Sequence, residues 1–192
     1  MRETQGVTSM PTLPTFHAVS PMINSTGQTV PHRHDARAFT YQEARHYLER
    51  GMVTGWLRAD ETAAVDSWLR RRLPLIDPAA ATCLVHNDLH PGNIRVVADV
   101  DGAWQVSGVV DWEMARGWLP ERDLATLSWH LGGAHSRLWS AFESGYGGGG
   151  TAQRERQLVF DMVNALGAMA YSPPQAPWGR WCAARVAALC DG

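Results

Sequence analysis

From Thr40 onward the apolar positions recur at helical spacing. Tyr41, Ala44, Tyr47 and Leu48 share one face, Thr40-Tyr-Gln-Glu43 reads as a capping box in front of them, and Gly51 reads as the stop. Ala64, Val65, Trp68 and Leu69 mark a second helix that begins after Asp60 and ends at Pro74. The period then changes. Thr82–Val85 reads as a strand, His86–Gly92 as a polar loop, and Ile94–Ala98 with Trp104–Val110 as a hairpin turning at Asp101-Gly102, with Asp111 just past its end. Helical spacing returns at Leu124, Leu127, Trp129 and Leu131, again at Leu138, Trp139 and Phe142 up to Gly145, and in Leu158–Tyr171 and Trp181–Leu189. Gly147–Gly150 has neither a strand before it nor a Lys-Ser/Thr after it, so it reads as a flexible linker rather than a phosphate cradle. Residues 1–38, punctuated by Pro11, Pro14, Pro21 and Pro31, read as an irregular arm with a short helical turn near Phe16–Val19. The pattern predicts an α+β chain, mainly helical with a small β hairpin, divided into the arm 1–38 and a folded body 39–192.

Composition narrows the classes. Seventeen basic against nineteen acidic residues give a net charge of -2, which argues against a nucleic-acid binder. No apolar run approaches the ~20 residues of a membrane span, and no signal-like segment opens the chain. Three cysteines, Cys83, Cys182 and Cys190, make no paired framework, and a reducing cytoplasm is the expected compartment. All seventeen basic residues are arginine, so no lysine of this chain serves as a phosphate anchor or Schiff base.

The chemistry concentrates in Leu84-Val-His-Asn-Asp-Leu-His-Pro-Gly-Asn-Ile94. His86, Asp88 and Asn93 fall in the spacing H-x-D-x-x-x-x-N on one loop between strands. A carboxylate there can orient the proton of an attacking hydroxyl, and an amide five residues on can curl back to a metal ion near the phosphates. Magnesium takes oxygen ligands and keeps several waters, so one Asn and one Asp suffice; Asp111, in Gly108-Val-Val-Asp-Trp-Glu113, is the expected second ligand.

His86-Asn-Asp-Leu-His-Pro-Gly-Asn93, then Val-Val-Asp111-Trp-Glu113, Gly117, Pro120 and Asp123-Leu-Ala125 resemble the aminoglycoside phosphotransferase and choline kinase family, well over residues 80–146 and loosely in the flanking helices. The family usually spells H-G-D, and Asn87 is closer to the choline-kinase-like form. The resemblance implies a protein-kinase-like fold, ATP and Mg2+ as cofactors, and a small-molecule hydroxyl as acceptor. It makes Asp88 the catalytic base and Asn93 and Asp111 the metal ligands. His86 becomes a loop brace and Asp123 a structural anchor. His90 is expected to brace the loop and Glu113 to be solvated or structural. Family members carry an N-terminal lobe with a small sheet and an anchoring Lys–Glu pair. Here 85 residues precede His86 and those after Thr40 read as C-lobe helices, so on this reading the chain is a C-lobe with the N-lobe absent.

Such a lobe is expected to bind ATP weakly and to turn over little alone. It is also expected to cover its open apolar wall with the arm, through Met10, Leu13, Phe16, Val19, Met22, Ile23 and Val30, or with a second copy or a separate N-lobe chain. Two other readings stand beside the phosphotransferase. One is a non-catalytic kinase-like lobe that binds a ligand or partner. The other is a metallohydrolase using His86, Asp88, His90, Cys83 and Asp111, which leaves Pro91-Gly92 and Asn93 without a role. His32 and His34 read as a Pro-flanked surface pair, and Trp112, Trp118 and Trp129 as core. From Glu121 to the end six acidic residues balance six arginines, so no acidic pocket for a polycation is visible.

Overall fold

The structure, a computed structural model, describes residues 22–23, 29–30, 35–80, 83–132, 136–147 and 149–191. Two short strands, β1 (Met22–Ile23) and β2 (Thr29–Val30), pair antiparallel. The helical turn expected near Phe16–Val19, the His32–His34 pair and the side chains of the arm lie outside the described residues.

Helix α1 spans Ala36–Val53, one turn earlier than the capping-box reading. Asp35 is the cap, its carboxylate accepting from the Ala38 N–H at 3.0 Å. Thr40 is buried inside the helix, with its hydroxyl donating to the Ala36 carbonyl at 2.7 Å. Asp35 wins because an Asp side chain caps as well as Thr and the start at Ala36 buries an extra turn. The helix runs past Gly51 to its cap at Thr54. Helix α2 (Ala59–Arg72) follows and passes into a 3-10 turn, Leu73–Leu75, that accommodates Pro74.

The middle holds two separate two-stranded sheets. β3 (Cys83–Val85) does not join the hairpin; it pairs antiparallel with β6 (Arg116–Trp118), a strand the period did not reveal. β4 (Ile94–Ala98) and β5 (Trp104–Val109) form the expected hairpin, with Ile94 opposite Val109. Val96, Val97, Val100, Trp104 and Val106 on this hairpin are exposed.

Helices α3 (Glu121–His130), α4 (Arg137–Tyr146), α5 (Thr151–Ala170) and α6 (Pro177–Asp191) complete the body. α5 is the central helix, packed by α1, α2, α3 and α6. Its Val159, Phe160, Met162, Val163, Leu166 and Met169 are fully buried with Leu48, Trp68 and Leu69. Gly167 lets α1 approach closely, since a Cβ there would lie 3.1 Å from the Tyr47 ring. In the glycine run, Gly147 closes α4 in the left-handed region at φ 95° and Gly150 is the N-cap of α5, so both have a capping role between the two helices. Of the tryptophans expected in the core, Trp118 is buried, Trp129 is half-buried and Trp112 is exposed.

Candidate active site

The loop from His86 to Asn93 is held from three sides. Asp123, in the first turn of α3, accepts the backbone N–H of His86 at 2.7 Å and of Asn87 at 2.8 Å, one on each carboxylate oxygen. His86 is buried; its Nε2 donates to the Val110 carbonyl at 2.7 Å while its Nδ1 accepts the Asp88 N–H at 3.3 Å. These partners define the neutral Nε2–H tautomer. The Trp112 ring lies 4.8 Å from the imidazole, and its indole N–H donates to the Val109 carbonyl at 2.7 Å. Below, Leu89 and Ile94 pack against Leu124, Leu127 and Trp139.

Asn93 ties the loop to the hairpin end. Its Nδ2 donates to the Asp88 carbonyl at 3.0 Å, and its own carbonyl accepts the Val110 N–H at 2.9 Å. Asn93 therefore reaches Asp88 through its side chain and the residue before Asp111 through its backbone. Asp111 sits in the left-handed region at φ 67°, ψ 55°, a conformation costly for a residue with a Cβ and concentrated at functional sites. Asp88 and Asp111 are both exposed, and among the described residues the Asp111 carboxylate has no hydrogen-bond or ion-pair partner. Among the described residues the Asp88 carboxylate pairs with His90, whose Nε2 lies at 3.8 Å. The His90 Nδ1 accepts the Gly92 N–H at 3.1 Å, which caps the turn Pro91–Asn93. Glu113 is exposed in the 3-10 turn after Asp111.

A second layer behind the loop joins Asn87 and Glu43 to Arg116 and Arg122, two residues that the sequence did not single out. Asn87 is also left-handed, at φ 67°. Asn tolerates this region better than most side chains, and its Oδ1 accepts from the Arg122 Nε at 2.6 Å. Arg122 in turn grips Glu43 of α1, with Nη1 to Oε2 at 2.6 Å and Nη2 to Oε1 at 3.1 Å. Arg116 of β6 donates to the same Glu43 at 3.0 Å, and so does the Tyr47 hydroxyl. Burial works to raise the Glu43 pKa, but the guanidiniums of Arg122 and Arg116 outweigh it and hold the carboxyl below its usual value of 4.5. The Tyr47 hydroxyl, desolvated and facing Glu43, is pushed up to about 12. The expected capping role of Glu43 is thus replaced by an ion-pair network. Its partners lie 73 and 79 residues away, beyond any local pattern.

The His-x-Asp-x-His metal centre does not form. Both nitrogens of His86 are engaged, and the described residues contain no group of three or more His, Cys, Asp or Glu able to hold a metal. The residues expected to hold magnesium differ in setting: Asn93 is buried with its Nδ2 on the Asp88 carbonyl, and the Asp111 carboxylate is exposed. Both offer hard oxygens, fitting a magnesium ion that keeps most of its water.

A family model described as the phosphotransferase enzyme family matches residues 10–176. The chain belongs to the phosphotransferase enzyme family. No curated protein and no solved structure matches it. Membership implies a kinase-like fold, and the loop, the hairpin and the helices behind them occupy the matched part of this phosphotransferase-family chain. Among the described residues no helix is long and apolar enough to cross a membrane.

Asp123 is the hinge pin of this arrangement. Asp123→Asn keeps one carbonyl oxygen but sets an NH2 against a backbone N–H. It should lower stability by about 1–3 kcal/mol, the cost of leaving a donor unpaired, read as a shift of the urea midpoint at unchanged slope.

Proposed function

We propose that the chain is an ATP-dependent phosphotransferase that moves the γ-phosphoryl group to a hydroxyl of a small molecule. The observation that supports this reading is the pair of exposed carboxylates, Asp88 and Asp111, whose backbones are tied together through Asn93. Asp88 accepts the proton of the acceptor hydroxyl as its oxygen attacks the γ-phosphorus. The new O–P bond forms as the bond to the β,γ-bridging oxygen breaks, ADP leaves, and Asp88 returns its proton to solvent. Asn93 and Asp111 would hold a magnesium ion, which offsets phosphate charge when bound. His86 and Asp123 hold the loop rigid, so that Asp88 does not reorganise during the step. The hydrogen bond of Asn93 Nδ2 to the Asp88 carbonyl fixes the amide and leaves its Oδ1 as the atom that would bind the ion.

A second reading, a kinase-like lobe that binds without turnover, is favoured by one observation: no lysine is present to anchor phosphates. Titration calorimetry with ATP separates these readings from any unrelated role. The expected result is magnesium-dependent binding that Asp111→Asn and Asn93→Ala each weaken by at least ~10-fold, the loss seen even for groups that only support a metal ligand. Binding that is indifferent to magnesium or to both substitutions would remove the phosphotransferase reading. Binding with no ADP release in the presence of any hydroxyl acceptor would favour the second reading.

A further inference from the structure

The exposed aromatic side chains of the last helix continue directly from the catalytic loop. His90, whose Nε2 is 3.8 Å from the Asp88 carboxylate, lies 5.3 Å from the His130 ring at the end of α3. His130 runs near-parallel to Trp178 at 18° and 6.3 Å, and Trp178 runs parallel to Trp181 at 6° and 4.9 Å. Trp129 meets both tryptophans edge-on and props the row from behind. Trp178 is 44% exposed and Trp181 41% exposed, so two indoles at the start of α6 present surface to solvent instead of filling the core. The buried Gly179, Cys182 and Val186 anchor α6, while Trp178 and Trp181 keep over two fifths of their surface in water.

Resting on the phosphotransferase reading, the geometry points to His90, His130, Trp178 and Trp181 as the wall that receives the acceptor, and to an acceptor whose hydroxyl is carried on a flat aromatic or heteroaromatic ring. Trp178 stacks on both His130 and Trp181, so the row offers chiefly ring edges, which reward edge-to-face contact with the ring of an acceptor. The charge around them argues against a polycationic acceptor. In α3, Glu121 is spent on Arg156 and Asp123 on two backbone N–H groups. In α5, Asp161 is taken by Arg185 and by the Trp129 indole N–H. Asp191 stands at the far end of α6. Asp88 meets His90 at 3.8 Å, and on the phosphotransferase reading Asp88 and Asp111 are required by the reaction itself. A ring set edge-to-face at the His90–His130 end of the wall would carry its hydroxyl beside Asp88, where His90 supplies an N–H.

The test is saturation-transfer NMR on the full chain with three planar alcohols as probes, tryptophol, 2-phenylethanol and pyridoxine, set against choline and myo-inositol. The expected result is ring-proton transfer to at least one planar probe, reduced at least tenfold in Trp178→Ala and in Trp181→Ala, with melting temperatures unchanged. Trp178→Leu, which keeps an apolar surface without the ring, should lose the signal as well. If Trp178→Ala fails to fold, that variant decides the matter. Absence of transfer to all three planar probes would overturn the proposal. So would signals indifferent to both tryptophans, or stronger transfer to choline. Magnesium-dependent ATP binding, measured on the same wild-type sample, reports on the phosphotransferase reading alone. Ring binding that depends on Trp178 without ATP binding would sink that reading and leave an aromatic binding site, whereas ATP binding without ring binding would do the reverse.

Discussion

On the proposed phosphotransferase reading, Asp88→Asn is expected to lower phosphoryl transfer by roughly 10²–10⁴-fold, the range supplied by a positioned general base, and to leave magnesium-dependent ATP binding essentially as it was. The substitution is nearly isosteric, and nothing in the loop depends on the carboxylate. The loop's own contacts at this residue run through its backbone, from its N–H to the His86 Nδ1 and from the Asn93 Nδ2 to its carbonyl. The side chain is about half exposed, at 51%, and among the described residues pairs with His90 at 3.8 Å. The effect should therefore appear in kcat and not in stability. ADP release from ATP, with the acceptor or with water as acceptor, measures it against the wild-type rate, and thermal melting of both proteins supplies the control. Turnover unchanged by Asp88→Asn would take this residue out of the chemistry, since no other carboxylate on the loop could replace it.

The largest loss of stability is expected at Glu43, far from the loop in sequence. Its side chain is 10% exposed and that of Arg122 only 8%. Glu43→Ala leaves Arg122 buried without its counter-charge and should cost about 3–5 kcal/mol, measured by chemical denaturation at pH 7. Arg116, more exposed at 24%, would recover part of its hydration, so Arg116→Gln should cost less than the Glu43 change. The pH dependence follows from the lowered pKa of Glu43. In the unfolded chain the carboxyl titrates near 4.5, and in the folded chain below that. Its contribution is fully present above about pH 4.5 and is lost as the pH falls through the lower folded value. Glu43→Gln should therefore flatten the acid limb of the stability curve below that pH. An acid limb identical to wild type would show that the ion pair is not what the structure indicates. Because Arg122 also holds Asn87, Glu43→Gln should slow turnover as well as weaken the fold.

Local features were legible from residues alone for a definite reason. The hairpin β4–β5, its turn at Asp101-Gly102 and the loop His86–Asn93 are built from neighbours within a few residues. Turn chemistry, strand period and the catalytic spacing are all written over that short range. The start of α1 was misjudged because two capping residues competed there. Thr40-x-x-Glu43 satisfied the local rule, yet Asp35 capped the helix and Glu43 was drawn to two arginines. That Gly147 serves as a left-handed C-cap and Gly150 as an N-cap was not legible, because composition alone does not say where the flanking helices end and begin.

What the sequence by itself determined is the family, the loop that bears Asp88 and Asn93, the strand-end Asp111, the helical body and the absence of any lysine. Each is a property of residue type and short spacing. Only the tertiary structure decided that β3 pairs with β6 instead of the hairpin, and that Asp123 clasps the loop by two backbone N–H groups. It likewise decided that Glu43, Arg116, Arg122 and Asn87 form one network, and that Trp178 and Trp181 line up beside His130. Seventeen arginines and nineteen acidic residues allow very many pairings. The packing of α1 and α3 on α5 selects among them, because a buried charge is tolerable only where that packing brings its partner within hydrogen-bond reach.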